Sequence, residues 1–121
     1  MIGVGIDLVE LDRFRAAIER TPGLVEKLFS DDEREYSMRR TDPTERLAVR
    51  FAAKEAVMKA LGVGLFAFAY RDVEVLRSSG GVPTLRLTGR ARELSDERGI
   101  TRWHLSLTHT ERVAQAIAIA E

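Results

Sequence analysis

The sequence predicts one α+β domain: an N-terminal strand and helices with a long packed central helix, followed by an antiparallel β-sheet. Three observations lead to this class. An apolar run of strand length opens the chain at 2–9, and segments with helical signals follow it as far as residue 62. Beyond residue 62, short stretches alternate apolar and polar side chains between turn residues, as antiparallel strands do. With 121 residues the chain can bury one core without disulfides, so we expect a single domain over 1–121.

The composition argues against several classes of protein. The chain has no cysteine, so it has no thiolate metal site, thiol nucleophile or disulfide framework. Nineteen basic and nineteen acidic residues give a formal net charge of zero, which argues against bulk attraction to nucleic acid or membranes. No apolar run approaches the length of a membrane span, and residues 1–11 lack the features of a signal peptide. We therefore expect a soluble cytoplasmic protein.

The chain opens with a predicted strand at 2–9 whose charged side chain is Asp7. That carboxylate can cap the helix that follows, because Asp favours helix N-termini. The alternative is a catalytic or metal-binding carboxylate at a strand end, with Glu10 in the same site. The local pattern leaves both interpretations open.

Shorter helical segments follow this strand. Residues 11–20 predict an amphipathic helix, and its Arg13 belongs either to a solvated face or to a basic docking surface for an acidic partner. A short segment before Ser30 can form one or two turns. At Ser30 a capping box with Glu33 predicts a polar helix that runs towards Arg40.

The longest predicted helix spans residues 42–62. Asp42 is the predicted N-cap, Pro43 fits the first helical position, and Glu45 completes a second capping box. Gly62 stands where a helix commonly ends in a left-handed residue. These signals give the helix two defined ends.

Both faces of this helix are apolar or small, which indicates packing on several sides. Alanine residues cover most of one face, and larger apolar residues form the other. Arg50 and Lys54 nevertheless fall within the apolar arc, and Glu55 and Lys59 fall at its edge. Buried charges are costly unless they are paired or bound to a ligand. The helix therefore carries either an ion-pair network or a binding site.

The second half of the chain predicts a β-hairpin, a short helix and two further strands, because alternating apolar residues are separated by turn residues. The last strand competes with a helix, since it is rich in alanine, but isoleucines two residues apart favour a strand. The predicted segments are the strands 72–77, 85–87, 103–108 and 113–120, the turn 78–81 and the helix 90–98, with no assignment for 63–70.

Polar residues that could carry chemistry form three groups: Asp7, the helix group Arg50, Lys54, Glu55 and Lys59, and the strand-end group 106–110. Asp7 with Glu55 would supply two hard oxygen ligands, and Mg²⁺ commonly takes one or two carboxylates and completes its shell with water and substrate phosphates. Lysine and arginine one turn away would neutralise phosphate charge. The set predicts a pyrophosphate-handling metal site. The competing interpretation is an ion-pair network of Lys54, Glu55 and Lys59.

Three sequence motifs occur in order along the chain. They are G-V-G-I-D-L-V-E-L at 3–11, R-F-A-A-K-E-A-V-M-K-A-L-G at 50–62 and H-L-S-L-T-H-T at 104–110. The hairpin sequence G-G-V-P-T-L-R-L at 80–87 lies between the last two. In this order and spacing, nearly the whole chain resembles the holo-[acyl-carrier-protein] synthases, which are small 4′-phosphopantetheinyl transferases.

The resemblance implies a 4′-phosphopantetheinyl transferase-like fold and a Mg²⁺-dependent reaction. In that reaction, 4′-phosphopantetheine passes from coenzyme A to a serine of an apo acyl carrier protein, and adenosine 3′,5′-bisphosphate is released. The carrier would serve fatty acid or polyketide biosynthesis. Family members of this size are homotrimers whose sites are shared between subunits. The chain departs from the family pattern after the long helix, where Gly62-Val63-Gly64-Leu65 replaces the common G-T-G-I.

The resemblance also implies roles at the metal. Asp7 and Glu55 match the Mg²⁺ ligands of the family, which present the metal to the pyrophosphate of coenzyme A. Lys59 matches a lysine near the transferred phosphate, where it stabilises charge or assists proton transfer. The general base for the carrier serine stays open between Glu55 and a water molecule on the metal.

Four further residues match binding positions of the family. Arg50, Ser106 and His109 match coenzyme A contacts, with His109 near the nucleotide end. On its own residue pattern, His109 reads more readily as a satisfied histidine at a strand end than as a catalytic one. Arg13 falls in the helix that the family uses to meet its acidic carrier protein.

Two other functional classes remain as alternatives. A non-catalytic oligomeric module that binds coenzyme A or a nucleotide would need the basic residues and His109, but not Asp7 together with Glu55. Both carboxylates therefore favour an enzyme. A small nucleic-acid-binding domain would be net basic with aromatic stacking positions, whereas this chain has zero net charge and eight aromatic residues, mostly on apolar faces.

Overall fold

The computed structural model describes residues 1–77 and 80–121, and it confirms the α+β class. Most helices precede residue 62, and most strands follow it. The strands are β1 (Gly3–Glu10), β2 (Val73–Arg77), β3 (Pro83–Leu87), β4 (Trp103–His109) and β5 (Val113–Ala120). The helices are α1 (Leu11–Arg20), α2 (Leu24–Leu28), α3 (Asp31–Met38), α4 (Thr44–Leu61) and α5 (Gly89–Glu97), with a 3₁₀ turn at Tyr70–Asp72.

The larger sheet joins the two ends of the chain. Its strand order is β1-β5-β4, and both pairings are antiparallel, so the first strand lies beside the last. One face of this sheet packs on α4. The residues of β5 on that face are small and fully buried, namely Ala114, Ala116, Ala118 and Ala120. Small side chains allow the helix to lie close to the sheet.

Glycine lets β1 lie directly against the backbone of α4. A Cβ atom on Gly5 would lie 1.9 Å from the Ala56 carbonyl oxygen, and one on Gly3 would lie 2.1 Å from the Ala60 carbonyl oxygen. Both distances are far inside van der Waals contact, so this approach requires residues without a side chain. The close approach brings Asp7, two residues further along β1, against the C-terminal half of α4.

The predicted hairpin is present as β2 paired antiparallel with β3, from Val73 opposite Leu87 to Arg77 opposite Pro83. Residues 78 and 79, which the sequence placed in the turn, lie outside the described residues. Within the two described ranges, no helix combines the length and the apolar character needed to cross a membrane.

The start of α4 differs from the prediction. Thr44 is the first helical residue, and Pro43 rather than Asp42 occupies the N-cap position. Asp42 Oδ1 accepts hydrogen bonds from the Thr44 backbone N–H at 3.0 Å and from the Thr44 hydroxyl at 2.6 Å. The predicted capping box with Glu45 does not form. The reason is local. The Asp42 side chain accepts both hydrogen bonds from Thr44, and this turn places the start of the helix at Thr44.

Two other predicted helix ends are confirmed. Ser30 Oγ accepts a hydrogen bond from the Glu33 N–H at 3.2 Å, and Glu33 Oε1 accepts one from the Ser30 N–H at 3.0 Å, which completes the capping box of α3. Gly62 ends α4 in the left-handed region with φ of 70°. α3 itself ends at Met38, two residues before the predicted Arg40.

Candidate active site

Asp7 lies on β1 and faces the C-terminal half of α4. Lys59 Nζ is 3.1 Å from Asp7 Oδ1 and donates a second hydrogen bond to the Ile6 carbonyl oxygen at 2.9 Å. Glu55 lies one helical turn before Lys59 on the same side of α4. Asp7 does not cap α1, because the N-cap of that helix is Glu10 and no side chain bonds to the helix start. The capping interpretation of Asp7 is therefore wrong.

Glu55 occupies a half-buried position beside Asp7. Burial raises the pKa of the Glu55 carboxyl, and the negative charge of Asp7 raises this pKa further. A hydrogen bond that the Tyr70 hydroxyl donates to Glu55 Oε1, 3.0 Å long, opposes this shift, as does the charge of Lys59. Two carboxylates that repel each other beside a single lysine favour the binding of another cation.

The donor set fits a divalent cation that keeps ligands from water or substrate. In the part of the chain that the structure describes, no group of three His, Cys, Asp or Glu side chains converges on one point. Asp7 and Glu55 therefore supply two carboxylates and no more, which suits Mg²⁺ because this ion commonly takes one or two carboxylates and completes its shell with waters and phosphates. Lys59 adds positive charge beside them.

The ion-pair network predicted for α4 is wrong in its membership. Lys54 is fully buried, and its Nζ donates a hydrogen bond to Glu33 Oε1 at 2.8 Å. Glu55 and Lys59 lie outside this pair and meet Tyr70 and Asp7 instead, as described above. Burial lowers the pKa of Lys54, and the charge of Glu33 opposes that shift. The buried pair joins α4 to α3 and leaves Glu55 available at the site.

A cleft of about 720 Å³ opens beside Asp7, between β1, α1, α2 and the connection after α4. The Tyr70 ring lines it and stacks on Phe51, with ring centroids 5.5 Å apart and an interplanar angle of 24°. Phe66 stands at the rim, 94% exposed, with φ of 71°, which is uncommon for a bulky residue. The other apolar lining residues include Phe14, Leu24, Leu28 and Leu65. The cleft offers an apolar surface next to the two carboxylates.

Arg13 lies on the wall of this cleft, on the first turn of α1. Its side chain is exposed, and Nη1 is 3.5 Å from Glu10 Oε1. An exposed ion pair of this kind contributes little to stability, so it breaks easily when a charged partner approaches. Arg20 and Lys27 also line the cleft and add positive charge there.

Ser106 and His109 lie away from the carboxylates within one protomer. Ser106 is exposed and pairs in register with Ile117, on the sheet face opposite to α4. His109 Nδ1 is 3.3 Å from Glu45 Oε2, in the first turn of α4. Glu55 follows Glu45 by ten residues, which corresponds to about 15 Å along the helix axis. The family resemblance assigned Ser106 and His109 to the same coenzyme A site as the carboxylates, whereas within one protomer the fold separates them.

Arg50 is 2% exposed and lies on the side of α4 that faces α3. Its guanidinium carbon is 4.7 Å from the centroid of the Tyr36 ring, and those of Arg46 and Arg77 are 4.1 Å and 5.6 Å from the same centroid. Arg50 Nη1 donates to the Arg46 carbonyl oxygen at 3.0 Å, while Nε has no hydrogen-bond partner among the described residues. Burial lowers the pKa of Arg50, as do the charges of Arg77 and Arg46. A cluster of guanidinium groups favours an anion.

Tyr70 and Glu33 were missed by the sequence reasoning. Tyr70 stands in the connection after α4, where no local pattern indicated a structure. Glu33 was read as a capping residue alone, although its Oε2 also accepts a hydrogen bond from the Val75 N–H at 2.9 Å. The available signal was Lys54 itself, because a lysine on a packed helix requires a buried partner.

Comparison with known proteins identifies the family. The profile of the 4′-phosphopantetheinyl transferase superfamily matches residues 3–119. The holo-[acyl-carrier-protein] synthase of Streptomyces avermitilis is 47% identical over 123 residues, which cover 100% of this chain and 98% of the relative. The solved structure of holo-[acyl-carrier-protein] synthase from Neisseria meningitidis matches with a TM-score of 0.90 and 30% identity, over 100% of this chain and 99% of that one. The Helicobacter pylori synthase, solved in complex with coenzyme A, matches with a TM-score of 0.85 and 27% identity, over 98% and 99%. The chain therefore belongs to the holo-[acyl-carrier-protein] synthases of the 4′-phosphopantetheinyl transferase superfamily.

Proposed function

We propose that this holo-[acyl-carrier-protein] synthase, one domain over 1–121, transfers 4′-phosphopantetheine from coenzyme A to a serine of an apo acyl carrier protein in a Mg²⁺-dependent reaction at Asp7, Glu55 and Lys59. The observation that carries the proposal is the meeting of Asp7 with Lys59 and Glu55 in a chain of this superfamily. A catalytic site for a pyrophosphate substrate needs a metal, nearby positive charge and correct positioning of the reacting groups. The two carboxylates supply ligands for the metal, and Lys59 supplies the positive charge. The carrier would serve fatty acid or polyketide biosynthesis.

In this proposal Asp7 and Glu55 hold Mg²⁺. When bound, the ion would supply Lewis-acid chemistry at the pyrophosphate of coenzyme A. The serine oxygen attacks the β-phosphorus, the bond from that phosphorus to the bridging oxygen breaks, and adenosine 3′,5′-bisphosphate leaves. Lys59 stabilises the negative charge that develops on the phosphate. The proposed base for the serine proton is either Glu55 or a water molecule at the metal site.

The proposed assembly is a homotrimer with sites at the interfaces. The face of the larger sheet that α4 leaves uncovered carries apolar side chains that are about half exposed, namely Ile2, Val4, Ile6 and Leu8. A contiguous exposed apolar patch of this kind marks a protein–protein contact. Ser106 lies on the same face, so a second copy packed there would meet it.

The other contacts to coenzyme A belong to the same proposal. Arg50 and His109 both lie beside the N-terminal half of α4. His109 contacts Glu45, about 15 Å along the helix axis from Glu55, and this separation is compatible with a place near the nucleotide end of a long co-substrate. The guanidinium cluster around Tyr36 supports a role for Arg50 near phosphate. Arg13, on the wall of the cleft beside Asp7, is proposed to contact the acidic carrier protein.

One experiment tests the reaction directly. The protein is mixed with coenzyme A, Mg²⁺ and apo carrier proteins of fatty acid and polyketide synthesis, and the carriers are weighed by mass spectrometry. We expect a gain of one phosphopantetheine on at least one carrier. Asp7→Ala should abolish this gain, while Asp12→Ala, at an exposed carboxylate on α1, should not.

Two results would contradict the proposal. Near-normal transfer by Asp7→Ala would exclude the metal role of that carboxylate. Binding of coenzyme A without a mass gain on any carrier would instead indicate the non-catalytic module.

A further inference from the structure

Tyr70 contacts the candidate metal site from outside α4. Its hydroxyl donates a hydrogen bond to Glu55 Oε1 at 3.0 Å. Its ring stacks on Phe51, with centroids 5.5 Å apart. Phe51 and Glu55 are four residues apart and therefore neighbours on one side of the helix. Tyr70 consequently lies along α4, with its ring stacked on Phe51 and its hydroxyl bonded to Glu55.

The backbone of Tyr70 is held separately. Lys54 Nζ, which is fully buried, donates hydrogen bonds to the Tyr70 carbonyl oxygen at 3.1 Å and to Glu33 Oε1 at 2.8 Å. Lys54 and Glu55 are adjacent in sequence, yet one binds the main chain of Tyr70 and the other its hydroxyl. A residue fixed at both ends has a defined hydroxyl position.

The hydrogen bond uses one of the two oxygens of Glu55. Oε1 accepts from Tyr70, and Oε2 has its own lone pairs for another ligand. A metal-binding carboxylate is commonly held by a hydrogen bond from a neighbouring group, which sets its orientation and raises its affinity for the ion. The Glu55 side chain is long and flexible, so an orienting partner has a large effect on where its oxygens lie.

We propose that Tyr70 is a positioning residue, whose hydroxyl holds Glu55 in the orientation that presents Oε2 to the divalent cation. This inference rests on the proposed metal role of Asp7 and Glu55. Tyr70 acts through Glu55 and has no contact with the reacting atoms in this scheme. Its effect is therefore on cation affinity, and through that affinity on the rate of transfer.

Tyr70→Phe tests the inference, because it keeps the ring that stacks on Phe51 and removes the hydroxyl alone. The matched control, for titrations without coenzyme A, is Tyr36→Phe at the other tyrosine of the chain, whose ring packs against arginines away from Glu55. The probe is Mn²⁺, a spectroscopic substitute for Mg²⁺, titrated into the protein with and without coenzyme A and followed by electron paramagnetic resonance. Circular dichroism and thermal unfolding check that both variants are folded.

We expect Tyr70→Phe to bind Mn²⁺ about 10-fold to 100-fold more weakly than the wild type, and Tyr36→Phe to bind it equally well. In transfer assays, raising the Mg²⁺ concentration should restore most of the kcat of Tyr70→Phe. A merely structural defect would lower the rate at every Mg²⁺ concentration.

Other outcomes would overturn the inference in distinguishable ways. If Asp7→Asn abolishes Mn²⁺ binding but Tyr70→Phe leaves it unchanged or strengthens it, the positioning role is wrong and the proposed function stands. If the wild type binds no Mn²⁺ even with coenzyme A, the metal role of Asp7 and Glu55 fails, and the positioning role fails with it.

Discussion

A single methyl group at residue 5 should disturb the contact between β1 and α4. In Gly5→Ala the new Cβ would lie 1.9 Å from the Ala56 carbonyl oxygen, whereas real Cβ atoms essentially never come within 3.0 Å of another heavy atom. β1 must therefore move away from α4 by about 1.1 Å, the difference between these distances. The obstructing oxygen is helix backbone, so it cannot rotate away as a side chain would.

The displacement has two measurable consequences. Overpacking of this kind lowers the free energy of unfolding by about 1–3 kcal/mol, which corresponds to roughly 4 °C in Tm for each kcal/mol. Asp7 lies two residues after Gly5 in the same strand and moves with it, while Glu55 and Lys59 stay on α4. Because a misplacement of about 1 Å can reduce a rate about 100-fold, we expect kcat/KM for transfer to fall by about that factor.

Urea unfolding and the carrier mass assay measure these two effects. Gly3→Ala is a matched variant, since its Cβ would lie 2.1 Å from the Ala60 carbonyl oxygen but four residues from Asp7. It should lose similar stability and less transfer. In the urea experiment, Gly64→Ala controls for the replacement of glycine by alanine without a clash, because its Cβ would meet no heavy atom within 4 Å. Wild-type stability and transfer in Gly5→Ala would refute the reasoning that this contact positions Asp7.

Three further predictions concern charge and assembly. In Glu55→Gln, transfer should be lost, yet Tm at neutral pH should rise. Burial and the charge of Asp7 raise the pKa of the wild-type carboxyl, so the wild type loses stability as the pH increases through that pKa. The variant has no carboxyl to ionise at this position and keeps that stability. Identical Tm-versus-pH curves for the two proteins would contradict this. Lys54→Met leaves Glu33 buried without its cation and should lower the free energy of unfolding by about 3–5 kcal/mol, and an unchanged urea midpoint would argue against an integral ion pair. Ile6→Asp, on the uncovered sheet face, should convert the proposed trimer to a folded monomer in light scattering, and a persistent trimer would place the interface elsewhere.

Helix and strand identity could be predicted because the signals act within a few residues. The capping box of Ser30 with Glu33 and the left-handed Gly62 are examples, since each depends on atoms of the same turn. The same locality explains the error at α4. Asp42 favours a helix start, but its side chain bonds to Thr44 just as well in a turn, and no sequence rule decides between these two hydrogen bonds.

Contacts between distant segments could not be predicted from spacing. The pattern showed that Lys54 needed a partner, but Glu33 already had a local role as a cap and gave no sign of a second one. The contact of Tyr70 with Glu55 could not be predicted for the same reason, because the position of Tyr70 depends on how the connection after α4 folds back. The meeting of Asp7 with the α4 group was anticipated from the chemistry of two carboxylates beside basic residues, and the family resemblance supported it, but no periodicity linked β1 to α4. The roles of the coenzyme A contacts stay predictions.

The double attachment of Tyr70 has a consequence for how the site meets its ligands. Local opening of the 3₁₀ turn must break the hydrogen bond from the buried Lys54 as well as the one to Glu55. The turn should therefore open together with the core, and the Asp72 amide, bonded to the Ala69 carbonyl oxygen, should exchange its hydrogen slowly. A site that is already rigid loses little conformational entropy when it binds, so association would proceed without an ordering step.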